Sequence, residues 1–447
     1  MLKKNIPFSL TLILIASLLS ACGGGDTKIV ERDPVPIDHD HDHDHDHDHD
    51  HDHDDELTQG RLLISAQNQA KISIFDIKDK ALLEEFTLTE SASAVYASPS
   101  YRYGYVIQRT ADRVNVIDSG LSQEDHGDHK DDVIAAPLWM SFSATNSRPT
   151  HFTGNTTQSV IFYDGNAATT TAASVGVYTE SDIANNTAGT RLEYTTHMHG
   201  AAQGRGDYLI STVRDAATTS TLPDRVALYK ANAGFFTEQT VFTETCPGLH
   251  GSAQNENQIA FGCTDGVLVI TQNGDAFTAE KIANPANFDT TKRVGTLLGS
   301  DDVMEFVGIA ASEFYAVNTS TNQLTAINWI DANTSPAPSA LAYGFADGGE
   351  LFVILDSQGW LTLLNTNDWS VKSRIQAVTS NIAALPSGSR FELALTPGHI
   401  AYVSDPIANQ IKAIDLDEST VSTSLQLNFV PNKFTWLGIA DPQGSHH

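Results

Sequence analysis

Cysteine is almost missing from this sequence: Cys22, Cys246 and Cys263 are all it has in 447 residues. None sits in Cys-x-x-Cys spacing, which argues against a metal site built from cysteine. Basic residues are scarce too, 26 Lys and Arg against 55 Asp and Glu, for a formal net charge of −29. With no basic patch to meet phosphates, nucleic acid is excluded as a partner, whereas an acidic surface attracts cations. Helical periodicity is nearly absent. Also lacking are the Gly-x-Ser-x-Gly elbow, the phosphate loop and His-Glu-x-x-His, so no catalytic residue is named and the chain does not read as an enzyme. The paired carboxylates Asp131-Asp132 and Asp301-Asp302 are ordinary on an acidic surface.

What is present begins with an export signal. Lys3 and Lys4 precede an apolar run from Ile6 to Leu19, too short to span a bilayer, and Leu18-Leu19-Ser20-Ala21-Cys22 follows. That pentad resembles a bacterial lipobox, so residues 1–21 are expected to be a lipoprotein signal peptide and Cys22 the lipidated first residue. Plain secretion with cleavage nearby is the alternative. By resemblance to Gram-negative lipoproteins, Gly23 after the cysteine, in place of Asp, implies the outer membrane. The expected location is therefore the periplasm, with a lipid anchor as the sole membrane contact. In that oxidising compartment Cys246 and Cys263 are expected to pair as a disulfide, worth about 3 kcal/mol in the chain-entropy model.

From Asp38 to Asp54 the chain alternates Asp and His, with imidazoles at His39, His41, His43, His45, His47, His49, His51 and His53. Nothing apolar is available to offset the entropy of ordering it, so residues 22–59 are expected to be a disordered, lipid-anchored linker. Imidazole suits zinc, copper and nickel, and carboxylates can complete a shell or orient a ligating ring. In an extended chain the rings line one edge roughly 7 Å apart. A solvated acidic spacer is the bland alternative, but a spacer has no use for alternating histidine.

From Gly60 the composition becomes globular, and short runs of Val, Ile, Leu, Tyr and Phe alternate with Gly, Asn, Asp, Ser and Thr turns. Paired runs recur eight times, beginning at Arg61, Tyr103, Val160, Tyr208, Ile259, Phe314, Leu351 and Ile400. A period of about fifty residues with four strands per unit predicts a single all-β propeller over residues 60–442. Eight blades are expected, with seven as the alternative. Phe434 to Ile439 is a strand without a hairpin after it, and the first unit lacks its leading strand. Together they are expected to complete one blade and close the ring, which removes sheet edges.

Counting nine positions back from a unit's leading run reaches His151 before Val160, His199 before Tyr208 and His250 before Ile259. The same offset elsewhere gives Ala342 and Phe391, so the fold does not demand histidine there. Equivalent positions of neighbouring blades form a ring, and this stretch belongs to the innermost strand, so the imidazoles are expected to converge at the central channel. Three neutral histidines with an open fourth position suit zinc, although each alone would satisfy a buried turn. Glu305, nine before Phe314, is a possible carboxylate ligand. His197, two before His199, is a further ligand or an entry point if both lie on one strand. His126 and His129 fall in a His/Asp-rich stretch read as an irregular loop between the second and third units, either a metal contact or plain solvated loop.

These residues carry a family resemblance. Arg148-Pro149-Thr150-His151-Phe152, His197-Met198-His199-Gly200, Cys246-Pro247-Gly248-Leu249-His250-Gly251 and Asp265-Gly266 resemble the AztD-type periplasmic zinc metallochaperones, over roughly residues 60 to 440. The resemblance implies a monomeric carrier of Zn(II) that delivers it to the substrate-binding protein of a zinc ABC importer, with a His/Asp-rich N-terminal segment taking part. The tract here is longer than a short motif, and the lipobox predicts tethering. Competing readings are a lipoprotein propeller acting as a metal store or as a protein-interaction platform, and a propeller enzyme of the quinoprotein or lactonase type.

Overall fold

The computed structural model describes residues 60–440, apart from Asp128 and Ala332. The signal segment, Cys22 and the whole His/Asp tract lie outside the described residues. Within them, the apolar runs become strands because both of their faces are covered. Gly60–Ala66, Tyr103–Gln108, Leu351–Asp356 and Ile400–Asp405 are buried at every residue. A strand sandwiched between two sheets has no polar side, so it reads as a continuous apolar run. Outer strands such as Ala81–Thr87 and Ala276–Ala283 alternate with solvent instead.

Among the described residues these strands form six four-stranded sheets and one eight-stranded sheet, with a separate two-stranded hairpin. The large sheet is two blades joined where their outer strands Thr190–Glu193 and Phe235–Val241 touch at Arg191 and Phe235. The molecule is thus an eight-bladed antiparallel propeller. Its hydrophobic core is divided the same way, into eight clusters, each lying between two blades that are neighbours in the ring. Side-chain alternation makes this possible: Leu62 and Ile64 pack toward the eighth blade while Leu63, between them, packs toward the second. Closure is as the sequence predicts. Pro431–Gly438 pairs antiparallel with Gly60–Ala66, so the chain's last strand becomes the inner strand of its first blade.

Two sequence expectations need correcting. In the sixth blade the strands are Thr296–Ser300, Val303–Ala310, Glu313–Asn318 and Gln323–Ile327. The run at Phe314 is therefore the third strand and not the second, because second and third strands are both doubly buried and look alike in sequence. The stretch holding His126 and His129 is also no irregular loop between blades. It is the tip of a hairpin, Leu121–Asp125 with Lys130–Ile134, inserted within the second blade before its outer strand Leu138–Ala144.

Candidate metal centre

Blades three, four and five begin with the inner strands Pro149–Gly154, Ala202–Arg205 and Ser252–Gln254. Side chains tie these strands side by side. Thr153 donates to the Ala202 carbonyl at 2.8 Å, and Gln203 donates to Ser252 Oγ at 2.9 Å. Gln254 even reaches the Gly154 carbonyl, a full blade away, at 3.4 Å. His151 lies in the first of these strands, just past a bulge at Pro149, and His199 and His250 lie just before the other two. The shared offset in sequence thus becomes a shared height in the fold.

Glycine has a physical reason to follow two of the three. A Cβ on Gly200 would stand 2.3 Å from Thr212 Oγ1 and 2.5 Å from the Phe162 ring. Gly251 has φ +74°, and a Cβ there would stand 2.7 Å from the Gly295 carbonyl. Upstream of His199 the chain is pinned by the amide of buried Met198, which donates to the Asp164 carbonyl at 3.0 Å.

The imidazoles meet. His151 Nε2 lies 3.2 Å from His199 Nε2, which lies 2.9 Å from His250 Nε2. The rings of His151 and His250 are 5.7 Å apart although a whole blade separates them in sequence. Among the described residues, these three form the group whose donor atoms gather as metal ligands do, all within 4.8 Å of one another.

The far side of each ring decides what the near side can do. His250 Nδ1 is 2.6 Å from the Gly295 carbonyl, which only accepts, so Nδ1 carries the proton. His199 Nδ1 donates to Asp164 Oδ2 at 3.0 Å. Both rings therefore turn a bare Nε2 lone pair toward the centre. Two lone pairs 2.9 Å apart repel unless a proton or a metal cation lies between them. The donor set fits a soft-to-borderline dication: tetrahedral zinc with Zn–N near 2.0 Å spaces its ligands by about 3.3 Å.

Electrostatics disfavours protonation of His151 and His250. Burial, then the neighbouring imidazoles of His199 and His250, push His151 down to about 4. Burial also lowers His250, against the pull of its bond to Gly295. For Asp164 burial works upward, but hydrogen bonds from His199, Thr150 and Arg109 outweigh it and hold the carboxyl below its usual range. Arg109 reaches Asp164 Oδ2 at 3.1 Å and Thr150 Oγ1 at 3.0 Å.

The other sequence candidates stand apart. Glu305 is on the second strand of the sixth blade, where it accepts from Asn318 Nδ2 and Trp369 Nε1, both at 2.6 Å, so it is no ligand of this cluster. The register error in that blade explains the mistake; its segment next to His250 holds Gly295, which offers a backbone carbonyl. His197 is in an irregular segment and not on a strand with His199, which removes the reason for both rings to share a side. Its carbonyl accepts from Arg214 at 3.1 Å, and its ring is outside the three-histidine group. His126 and His129 stack at the hairpin tip, 5.4 Å between ring centroids, and both face Asp131, at 3.4 and 3.7 Å. Cys246 and Cys263 form the expected disulfide, which ties the segment leading into His250 to the end of the adjoining strand Gln258–Gly262. Asp164, Arg109 and the Gly295 carbonyl went unforeseen.

No family model matches the sequence. The zinc chaperone AztD of Citrobacter koseri is 22% identical over 409 residues, which cover 88% of this chain and 90% of that protein. The crystal structure of apo AztD from C. koseri superposes with a TM-score of 0.72 at 20% identity, covering 86% of this chain and 99% of that one. A second crystal structure of C. koseri AztD gives 0.72 at 22% identity, over 88% and 100%. Along nearly the whole length of its propeller, then, this chain is similar in fold to the zinc chaperone AztD.

Proposed function

We propose that this chain is a periplasmic zinc chaperone, lipid-anchored through Cys22, which captures Zn(II) with its His/Asp tract and a three-histidine site at the propeller channel and delivers it to a zinc uptake system. One observation carries the reading: three imidazoles from three successive blades bring their Nε2 atoms to spacings of 2.9 and 3.2 Å, with two of the rings held from behind by Asp164 and Gly295. Such backing fixes tautomer and orientation and raises ligand basicity. Three ligands leave a position open through which an ion can be received and passed on. The likeness to a zinc chaperone supports zinc as the cargo.

A second reading, a tethered zinc store without delivery, is favoured by the lipobox at Cys22 and by the length of the tract. The experiment that tests the site is zinc titration of protein lacking residues 23 to 58, which removes no described strand. One tight ion per chain is expected, lost when His151, His199 and His250 are all replaced by Ala. Affinity unchanged by that triple replacement would show the reading to be wrong. Transfer of the ion to a zinc importer's binding protein, against retention, separates carrier from store.

A further inference from the structure

The three-histidine cluster is bracketed by positive charge. Arg109, in the turn Arg109–Ala111 of the second blade, places its guanidinium on the same Asp164 oxygen that receives the His199 ring. That carboxylate is thus shared between a cation and the ligand it orients. On the other flank Arg293, in the connection from the fifth to the sixth blade, donates to the Gly248 carbonyl at 3.2 Å, two residues before His250. A Cβ on Gly295, whose carbonyl holds His250, would stand 3.6 Å from Arg293 Nε. Arg109 thus acts on the cluster through the carboxylate that it shares with His199, and Arg293 sits against the segment that carries His250. A dication at the centre meets each repulsion with twice the charge of a proton.

Resting on the reading of this cluster as a zinc site, we propose that Arg109 and Arg293 are release-setting residues: they hold zinc affinity below what the three imidazoles and Asp164 would otherwise give, so that the ion leaves readily. A site meant only to retain zinc gains from uncompensated carboxylate behind its histidines. Here the carboxylate is paired with Arg109 at 3.1 Å, and on the side of His250 a second cation, Arg293, lies against the Gly248 carbonyl. Neither arginine is a ligand, and guanidinium does not lose its proton to relieve the repulsion.

The test uses the full chain with the eight tract histidines replaced by Ser, loaded with one zinc and mixed with a chromophoric chelator in a stopped-flow instrument. Arg109→Gln and Arg293→Gln are each expected to slow zinc release by roughly tenfold, the lower end of what partners behind a metal ligand command. Arg109→Lys and Arg293→Lys, which keep charge without the planar fork, are expected to release faster than the glutamine variants. They also keep the test readable if a glutamine variant loses stability. Release at the parental rate or faster from the glutamine variants would overturn the proposal, and so would lysine variants as slow as the glutamine ones. If the parent holds no zinc, or holds it equally well without His151, His199 and His250, the zinc-site reading itself fails and this inference falls with it.

Discussion

At the scale of single residues, the chemistry rests on which imidazole nitrogen is bare. Backing by Asp164 and Gly295 turns the lone pairs of His199 and His250 inward, and burial keeps protons off His151 and His250. This separates the site from the tract. A solvated histidine takes up a proton near pH 6.5, so metal held by the tract, as proposed, would compete with protons from about there downward. His151, held at about 4, does not protonate until the pH is much lower. At about pH 5.3, equilibrium dialysis is expected to find zinc retained by the propeller and lost from a tract peptide; equal loss from both would contradict the electrostatic account. The same shift acts on stability. Between pH 6.5 and 4 the unfolded chain binds a proton at His151 that the folded chain refuses, so the metal-free protein loses stability as pH falls through that window.

Individual elements deliver those rings. The disulfide joins Cys246, four residues before His250, to Cys263 at the end of the adjoining strand. Both sulfurs are fully buried in the core between the fourth and fifth blades. Closing a seventeen-residue span stabilises by about 3 kcal/mol in the chain-entropy model. Replacing both cysteines by Ala is expected to lower unfolding free energy by about that amount in denaturant titrations and to weaken zinc binding through His250. Loss of stability with unchanged zinc affinity would show that the bridge staples the blade without positioning the ligand. The hairpin of the second blade is a different kind of element. Among the described residues its strands pair only with each other, and its exposed tip carries His126 and His129 against Asp131.

For the whole molecule, closure is the condition on which the site depends, since it draws on three blades. Pro431–Gly438 covers the edge of Gly60–Ala66, every residue of which is buried. Ending the chain after Val430 would expose that apolar edge as a template for pairing between molecules. Such a truncation is expected to aggregate in light scattering, whereas Trp436→Ala, which leaves the strand in place, should cost about 3–5 kcal/mol and stay soluble. In the proposed function the tract would act at this scale too: a tethered ligand works at an effective concentration reaching roughly the millimolar range, which would speed exchange without altering what the closed site prefers. Deleting residues 38 to 55 is expected to slow zinc transfer to an acceptor while propeller affinity stays the same; equal rates with and without the tract would reduce it to a separate store.

Much of this was legible along the chain because it depends on one-dimensional spacing. Doubly buried strands read as apolar runs, so the number of blades and the closing strand follow from counting. Equivalent blades also repeat the same offset, so His151, His199 and His250 could be aligned before their distances were known. That logic failed where two kinds of strand look alike, as at Phe314, and it misled the reading of Glu305. What stands behind the rings was beyond it altogether. Asp356 and Asp405 end a second strand and Asp164 directly follows one, yet Asp164 meets His199, Asp356 meets Arg374 and Asp405 meets Ser380. Sequence repeats the position, but the neighbour is chosen by how adjacent blades pack. The carbonyl of Gly295 and the guanidinium of Arg109 carry no signal at all until the ring closes, because a hydrogen bond between blades depends on distances that no spacing along the chain encodes.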